Sequence, residues 1–404
     1  MSLLLIFVLS INFVSAPYNI NGSKKVKGFN LIKPMITGNA RSVKPLIIKN
    51  LFPDAIIIGA SSTEMGFNPD HIGFKDYKNT YNFGVAGGYF YEVYRHLQHS
   101  IKVTDLKLAI ISIDYLMWLV RNELHAPTFN ENFLAVNNQY SDNYDWEDRF
   151  FWSLHPSRLS NGFKTLIFQD VNYINNEFFP RFFLKDNGQR RDDSYLRLKK
   201  LLSGFDEPFK KSIYKNFNKL SVIDHRIVDK KWINELSYFD MIENIISLAA
   251  NNNVKVVFNF PPCHLSALEI FRQAKKLDSF NDFKIRVASL IKNTKLKYPD
   301  VDVSLYDFCV YDDLLNEIVI DANNKKLPFL SFTDPFHFRS SLGDKALDYM
   351  LLDKKNSSAF GQNLLKLKNF EMYFYKQDQQ YNIIKENNNS EILNYRRCML
   401  ENNC

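Results

Sequence analysis

Residues 54–67 constrain this chain more than any other stretch. An apolar run rich in β-branched side chains stops at Gly59, followed by Ala60, Ser61 and Ser62, the pattern of a buried strand ending in a tight turn. In open parallel sheets, ligands bind beyond the carboxyl ends of the strands, where loops and helix N-termini present hydroxyls and backbone N–H groups. Ser61 is therefore a candidate nucleophile. A capping role for Ser61, Ser62 or Thr63 at the next helix explains the same residues, because hydroxyl side chains are favoured there.

The pattern then repeats. Residues 80–83 read as a short second strand that ends in Gly84-Val85-Ala86-Gly87-Gly88, and Tyr89, Val93 and Leu97 follow at helical spacing. Residues 106–113 form the third strand, 254–260 the fourth, stopped by Pro261-Pro262, and 301–306 the fifth. Helices are predicted over 241–250 and 342–352, and a long helical region over 266–297. Strands alternating with helices predict a three-layer α/β/α sandwich around a five-stranded parallel sheet, joined by right-handed crossovers. The alternation breaks from about 115 to 236, where aromatic clusters (150–152 and 178–183) mix with charged stretches such as 190–193. So long a break is too long for a plain loop and predicts a mainly helical insertion, set over the active-site face as a lid or binding wall. The organisation expected is a signal or membrane anchor at 1–20, a polar, basic connector at 21–50, the α/β domain at 51–353, and a loosely attached, partly helical tail at 354–404.

An apolar content of 46% and a charged content of 24% over 404 residues are those of a globular protein. The net charge of +7 is spread along the chain, with no basic stripe interleaved with aromatics, so nucleic acid is not the expected partner. Residues 3–16 are almost wholly apolar but too short for a membrane span. They have the character of an export-signal core ending in Val14-Ser15-Ala16. No cation precedes the run and Pro17 follows it, which argues against simple cleavage. The expectation is an exported protein with a retained or partly missing N-terminal anchor; a buried N-terminal helix of a cytoplasmic protein is the alternative. Cys263 and Cys309 stand isolated, while Cys398 and Cys404 are close enough in sequence to pair if the tail is exported. No cysteine–histidine spacing suits zinc, so no metal is expected. Gly84 to Gly88 lacks the Lys-Ser/Thr ending of a P-loop and the acidic partner of a dinucleotide site, so no cofactor is expected either.

After the fifth strand comes Thr333-Asp334-Pro335-Phe336-His337-Phe338. An Asp three residues ahead of a His on a turn can set its carboxylate against one imidazole nitrogen and leave the other to take a serine proton. Ser61 after the first strand, glycines after the second, and Asp334 with His337 after the last strand stand in the order of the SGNH (GDSL-like) hydrolases and acyltransferases. The sequence resembles that superfamily over about 54–114 and 237–352, and most of all its membrane-anchored, exported members that acylate cell-surface polysaccharides.

The resemblance implies roles residue by residue. Ser61 would be the nucleophile and lend its own N–H to the oxyanion, with Ala60 where the commoner pattern has Asp. Asn82 followed by Gly87 would match the second block, Gly87 supplying an oxyanion N–H. Asp334 and His337 would be orienter and general base. The third block departs from the pattern: the family's Gly-x-Asn after the third strand is replaced by Ile113-Asp114-Tyr115, without the Asn donor. Tyr115, Trp118 or a residue of the insertion would have to stand in. Ser62, Asn82, Gly88, Asp114, Tyr115 and His264 are candidate substrate contacts, His264 having ordinary loop packing as its alternative; Cys263 as a nucleophile would need a base of its own. The function implied is acyl transfer through an acyl-serine, from an ester donor to a carbohydrate hydroxyl outside the cytoplasm, or simple ester hydrolysis. The rival expectation is a catalytically silent glycan-binding or envelope scaffold protein, which the missing Asn and the aromatic insertion would suit.

Overall fold

The computed structural model describes residues 2–20, 24–119, 123–136, 150–152, 154–169, 184–191, 206–223, 231, 236–317, 330–354, 359–387 and 389–401. Five strands, β1 (Ala55–Ile58), β2 (Thr80–Asn82), β3 (Leu108–Ser112), β4 (Lys255–Phe260) and β5 (Val303–Asp307), run parallel in the order β2-β1-β3-β4-β5. All four residues of β1 are fully buried, which is why the strand reads as one unbroken apolar run rather than an alternating one. β2 pairs on one side of β1 and β3 on the other, so the order of winding reverses there and a crevice opens at the carboxyl ends of β1 and β3. Beyond β5, residues β6 (Phe332–Asp334) and β7 (His337–Phe338) make a separate antiparallel hairpin.

The sheet departs from expectation at its edge. A sixth strand, β8 (Gln362–Asn363), pairs antiparallel with β5 and makes the sheet mixed. Two polar residues carry no hydrophobic period, so nothing in the sequence marks them as a strand.

The helices that matter below are α1 (Ser2–Ser15), α2 (Ala40–Leu51), α3 (Ser61–Gly66), α4 (Phe90–Val103), α5 (Tyr115–Leu119), α6 (Leu159–Ile167), α7 (Asp206–Ser221), α8 (Tyr238–Asn251), α9 (Leu265–Gln273), α10 (Leu277–Lys297), α11 (Ser340–Leu351), α12 (Phe370–Asn387) and α13 (Asn389–Leu400). The helices of the connector and of the tail correct the sequence reading. The expected connector at 21–50 holds α2, which buries Val43, Leu46, Ile47 and Ile48; its lysines made it look polar, yet Lys44 is buried with them. The long helical region expected over 266–297 is present as two helices, separated where Lys275 turns left-handed at φ +56°. The tail is firmly attached: α12 and α13 bury Tyr373, Tyr381, Ile392 and Tyr395, the Tyr373 hydroxyl donates to Asp307 at 3.0 Å, and Arg396 pairs with Glu269 at 2.7 Å.

The cysteines also differ from expectation. Cys263, just past β4, is bonded to Cys309, just past β5, with 4.9 Å between their Cα atoms. The two look isolated in sequence because parallel neighbours are joined through a whole helical crossover. Cys398 is disulfide-bonded as well, and its expected partner Cys404 lies outside the described residues.

At the N-terminus, α1 lies against α6, with Asn12 and Ser15 fully buried and the Asn12 amide donating to the carbonyls of Leu154 and His155 at 3.2 and 3.1 Å. Among the described residues, no helix is long and apolar enough to cross a membrane. Of the insertion, α5, α6, α7 and residues 184–191 are described; the aromatic cluster at 178–183 and the acidic pair at 192–193 lie outside the described residues.

Candidate active site

The turn after β1 is built by close approach. A Cβ on Gly59 would lie 2.2 Å from Thr63 Oγ1 and 3.0 Å from Ser112 Cβ, so only glycine lets α3 start this tightly over the end of the sheet. Ala60 is extended and precedes the helix, and Ser61 opens it, half-buried, at the crevice between β1 and β3. Later in the chain, the β6–β7 hairpin carries Asp334 opposite His337. β7 packs on α3, with Phe338 edge-on to Phe67 at 5.0 Å.

These two pieces bring three side chains together. Ser61 Oγ lies 2.7 Å from His337 Nε2, and His337 Nδ1 lies 2.7 Å from Asp334 Oδ2. The other carboxylate oxygen, Asp334 Oδ1, accepts the backbone N–H groups of Phe336 at 2.9 Å and His337 at 3.1 Å. An ionised carboxylate only accepts, so Nδ1 carries the proton and Nε2 is left to accept from the serine hydroxyl.

Burial alone would raise the Asp334 carboxyl. The His337 charge and hydrogen bond, with the two backbone donors, outweigh it and hold the group below its ordinary value. Burial would likewise lower the His337 imidazole, but the Asp334 charge and hydrogen bond win and hold it above its ordinary 6.5; Arg190 opposes them and Asp114 adds to them.

The glycine turn after β2 is tied to the serine turn, with the N–H of Val85 donating to the Gly59 carbonyl at 3.0 Å. Gly87 is left-handed at φ +63°. Its N–H is oriented by a residue that the sequence reading missed. Arg41, on α2, donates through Nη2 to the carbonyls of Ala86 at 3.1 Å and Gly87 at 2.9 Å, and through Nε to Glu92 at 3.0 and 3.2 Å. The Ala86 carbonyl and the Gly87 N–H share one planar, trans peptide, so fixing the first points the second the opposite way.

A second missed cluster holds α3. Glu64 is buried one turn after Ser61, with Lys44 Nζ 3.4 Å from Oε1 and the Arg190 guanidinium on Oε2, its Nε at 3.1 Å. Lys44 also donates to the carbonyls of Asn82, Gly84 and Gly188. Burial pushes its ammonium down to about 8, with Glu64 pulling the other way and Arg190 adding to the fall. Arg190 comes from the insertion, and its N–H donates to the Glu64 carbonyl at 2.8 Å. No sequence signal announced this cluster, because its members are 20 and 126 residues apart from Glu64.

The proposed substrate contacts are mostly structural. Asn82 is fully buried, donating to the carbonyls of Thr63 and Phe67 at 2.9 Å each and accepting from Gly84 at 2.9 Å. Ser62 is buried. Gly88 is buried against Ala60, and its N–H is spent on the Val85 carbonyl at 3.0 Å. His264 is fully buried: Nδ1 accepts from Ser266 N at 3.1 Å, Nε2 meets the Glu317 carbonyl at 2.7 Å, and burial pushes the imidazole down to about 4. Its backbone N–H donates to the Pro335 carbonyl at 2.9 Å, so it braces the hairpin that presents His337 rather than reaching the crevice.

Asp114 stays at the crevice, half-buried, but its Oδ1 accepts from Leu116 N at 2.9 Å and so caps α5. The two replacement donors named from the sequence are both buried. Tyr115 is buried among Phe271, Phe280 and Phe283, and Trp118 is fully buried against Phe90, Tyr238 and Phe283. Asn259, level with Ser112 in the sheet, spends its amide on the Ile111 carbonyl at 3.4 Å. Cys263, being disulfide-bonded, is no nucleophile.

Among the described residues, no group of three or more His, Cys, Asp or Glu is placed to hold a metal ion. Compared with known proteins, the chain matches no family model and no curated sequence.

Proposed function

We propose that this chain is a serine esterase or O-acyltransferase of the SGNH kind, on a three-layer α/β/α sandwich. The observation that carries the proposal is the unbroken Ser61–His337–Asp334 relay, with 2.7 Å at each step. Ser61 Oγ attacks the carbonyl carbon of an ester while its proton passes to His337 Nε2. The oxyanion is met by the N–H groups of Ser61 and Gly87. Collapse of the tetrahedral intermediate releases the donor alcohol, which takes the proton from His337, and leaves an acyl-Ser61. A hydroxyl of the acceptor, water or a glycan, then loses its proton to His337 and attacks the acyl carbon. Asp334 remains ionised throughout and holds the imidazole in register.

A third oxyanion donor in place of Asp114 would be worth about 2.7 to 4 kcal/mol of barrier, so this site favours activated esters and slow turnover. An extracytoplasmic glycan acceptor suits the Cys263–Cys309 disulfide, because such bonds persist in oxidising compartments.

The test is labelling by a fluorophosphonate probe, read by intact mass, on the full chain and on Ser61→Ala and His337→Ala variants. One adduct on the parent and none on either variant is the expected result. An intact, folded parent that takes no label at all sinks the enzymatic reading and leaves the glycan-binding one.

A further inference from the structure

We infer that an apolar slot beside the His337 hairpin houses the acyl group of the ester and limits it to about two carbons, with Leu116 as a wall that sets the limit. The inference rests on the acyl-Ser61 reading and adds to it the acyl class and the residues that select it. Ser61 stands three residues past Ile58, and Asp114 three past Ile111, the partner of Ile58 in the sheet. The two chains therefore leave the sheet level with each other, one strand spacing or about 4.8 Å apart. Asp114 lines the slot together with Leu116, Pro262, Phe271, Phe280 and Phe336. Phe336 is the residue before His337, so the slot lies between the end of β3 and the hairpin that carries the general base. Asp114, Leu116 and Phe336 are half-buried, on its solvent side, whereas Pro262, Phe271 and Phe280 are buried.

The walls are held rigidly. Phe271 packs edge-on against Phe336 at 5.8 Å and tilted on Phe280 at 5.0 Å, and Phe280 stacks on Tyr115 at 4.9 Å. Cys263 and Cys309 both line the slot, and their disulfide ties its β4 side to its β5 side. The free volume is about 20 Å³, against the ~10–15 Å³ that one water-sized group needs. That is room for a methyl. Each further methylene would press on rings already in contact.

Charge narrows the class further. Among the described residues that line the slot there is no Lys, Arg or His, and Asp114 stands on its solvent side. An acyl chain ending in a carboxylate would find no counter-ion there and would meet a like charge. The group that fits is short and neutral, acetyl before all others. Leu116 is the wall to alter, because it is aliphatic and half-buried, and shortening it leaves the ring cluster intact.

Release of p-nitrophenolate from the acetate, butyrate and hexanoate esters by the full chain, burst included, tests this, with Leu116→Ala and Leu116→Phe alongside. In the parent, kcat/KM should fall at least about tenfold from acetate to butyrate. Leu116→Ala should cut that ratio about tenfold and Leu116→Phe should raise it, both keeping the parent's near-ultraviolet circular dichroism. A merely structural role would slow every ester alike and leave the ratio unmoved. A parent that takes butyrate as readily as acetate, or a folded Leu116 variant with the parent's ratio, overturns the inference and leaves Ser61 as nucleophile. So do variants that re-rank acetate esters by the length of their alcohol instead, since the slot then holds the alcohol. A parent that releases nothing from any ester also overturns it, and fluorophosphonate labelling then tells whether the acyl-Ser61 reading falls with it.

Discussion

His337 is held between opposing demands on its proton. Burial and Arg190 disfavour the imidazolium, whereas Asp334 and Asp114 favour it, and the pair of carboxylates wins. A general base must be neutral to act, so a raised imidazole makes activity fall on the acid side from a point above the ordinary 6.5. Replacing Asp334 by Asn removes the largest favourable charge. For Asp334→Asn, kcat/KM for an activated acetyl ester, followed from about pH 5 to pH 9, should drop roughly 10⁴-fold on its plateau. Its acid inflection should also move to lower pH than the parent's. A variant profile with the parent's inflection would mean that the titrating group is not His337. The same residue-level view explains the rejected contacts: Asn82 and His264 have every polar atom paired inside the protein, which leaves nothing to offer a ligand.

At the scale of elements, the site is assembled by parts that come before and after the β1 turn in the chain. α2 reaches the glycine turn through Arg41, and the hairpin of His337 is braced from β4 and from Glu317, whose carboxylate accepts the N–H groups of Ser331 at 3.0 Å and Phe332 at 3.1 Å. The insertion reaches α3 through Arg190, and its Asn187 carbonyl accepts the Asn82 N–H at 2.8 Å on the open edge of β2. That contact covers a row of backbone groups that would otherwise invite pairing with another chain. Arg41→Lys keeps a positive charge beside the buried Glu92 but loses the planar fork that spans two carbonyls. Its expected effect is a fall in kcat of about tenfold, less than the ~10² to 10³ of deleting an oxyanion donor. KM and the melting temperature should stay close to the parent's, because the Gly87 N–H is needed most in the transition state. A rise in KM with kcat preserved would instead make Arg41 a substrate-binding residue.

For the whole molecule, two buried histidines set the acid limit of stability. Burial lowers His264 to about 4, and it lowers His96 well below its ordinary 6.5, helped by the charges of His99, Arg41 and Lys44. Both groups stay neutral when folded and take up protons first when unfolded. Their contribution is therefore complete above about pH 6.5 and declines below it; for His264 it is lost as the pH falls toward 4 and is worth about 3 kcal/mol. Urea unfolding at about pH 7 and pH 5 should show the loss in the parent, and a smaller loss in His264→Asn, which keeps a capping side chain at the start of α9 but does not titrate. Equal losses in the two proteins would rule out His264 as a source.

What the sequence determined by itself is local or periodic. The apolar run of β1 ending at Gly59 and Ser61, the alternation that makes an α/β sheet, and the Asp334–His337 spacing are each written within a few neighbouring residues. So is the order of those blocks, from which a meeting of Ser61 with His337 was expected. Tertiary structure alone decided the rest. Cys263 meeting Cys309, Lys44 and Arg190 meeting Glu64, and Arg41 meeting the Gly87 turn all join residues whose separation follows no period. The two-residue β8 has no pattern to read and exists because β5 offers an unpaired edge. Burial, too, is a property of the assembled molecule: Lys44 of α2 looks like surface until three carbonyls from two other segments close around it. Hydrogen bonding and charge act across space, whereas sequence records only distance along the chain.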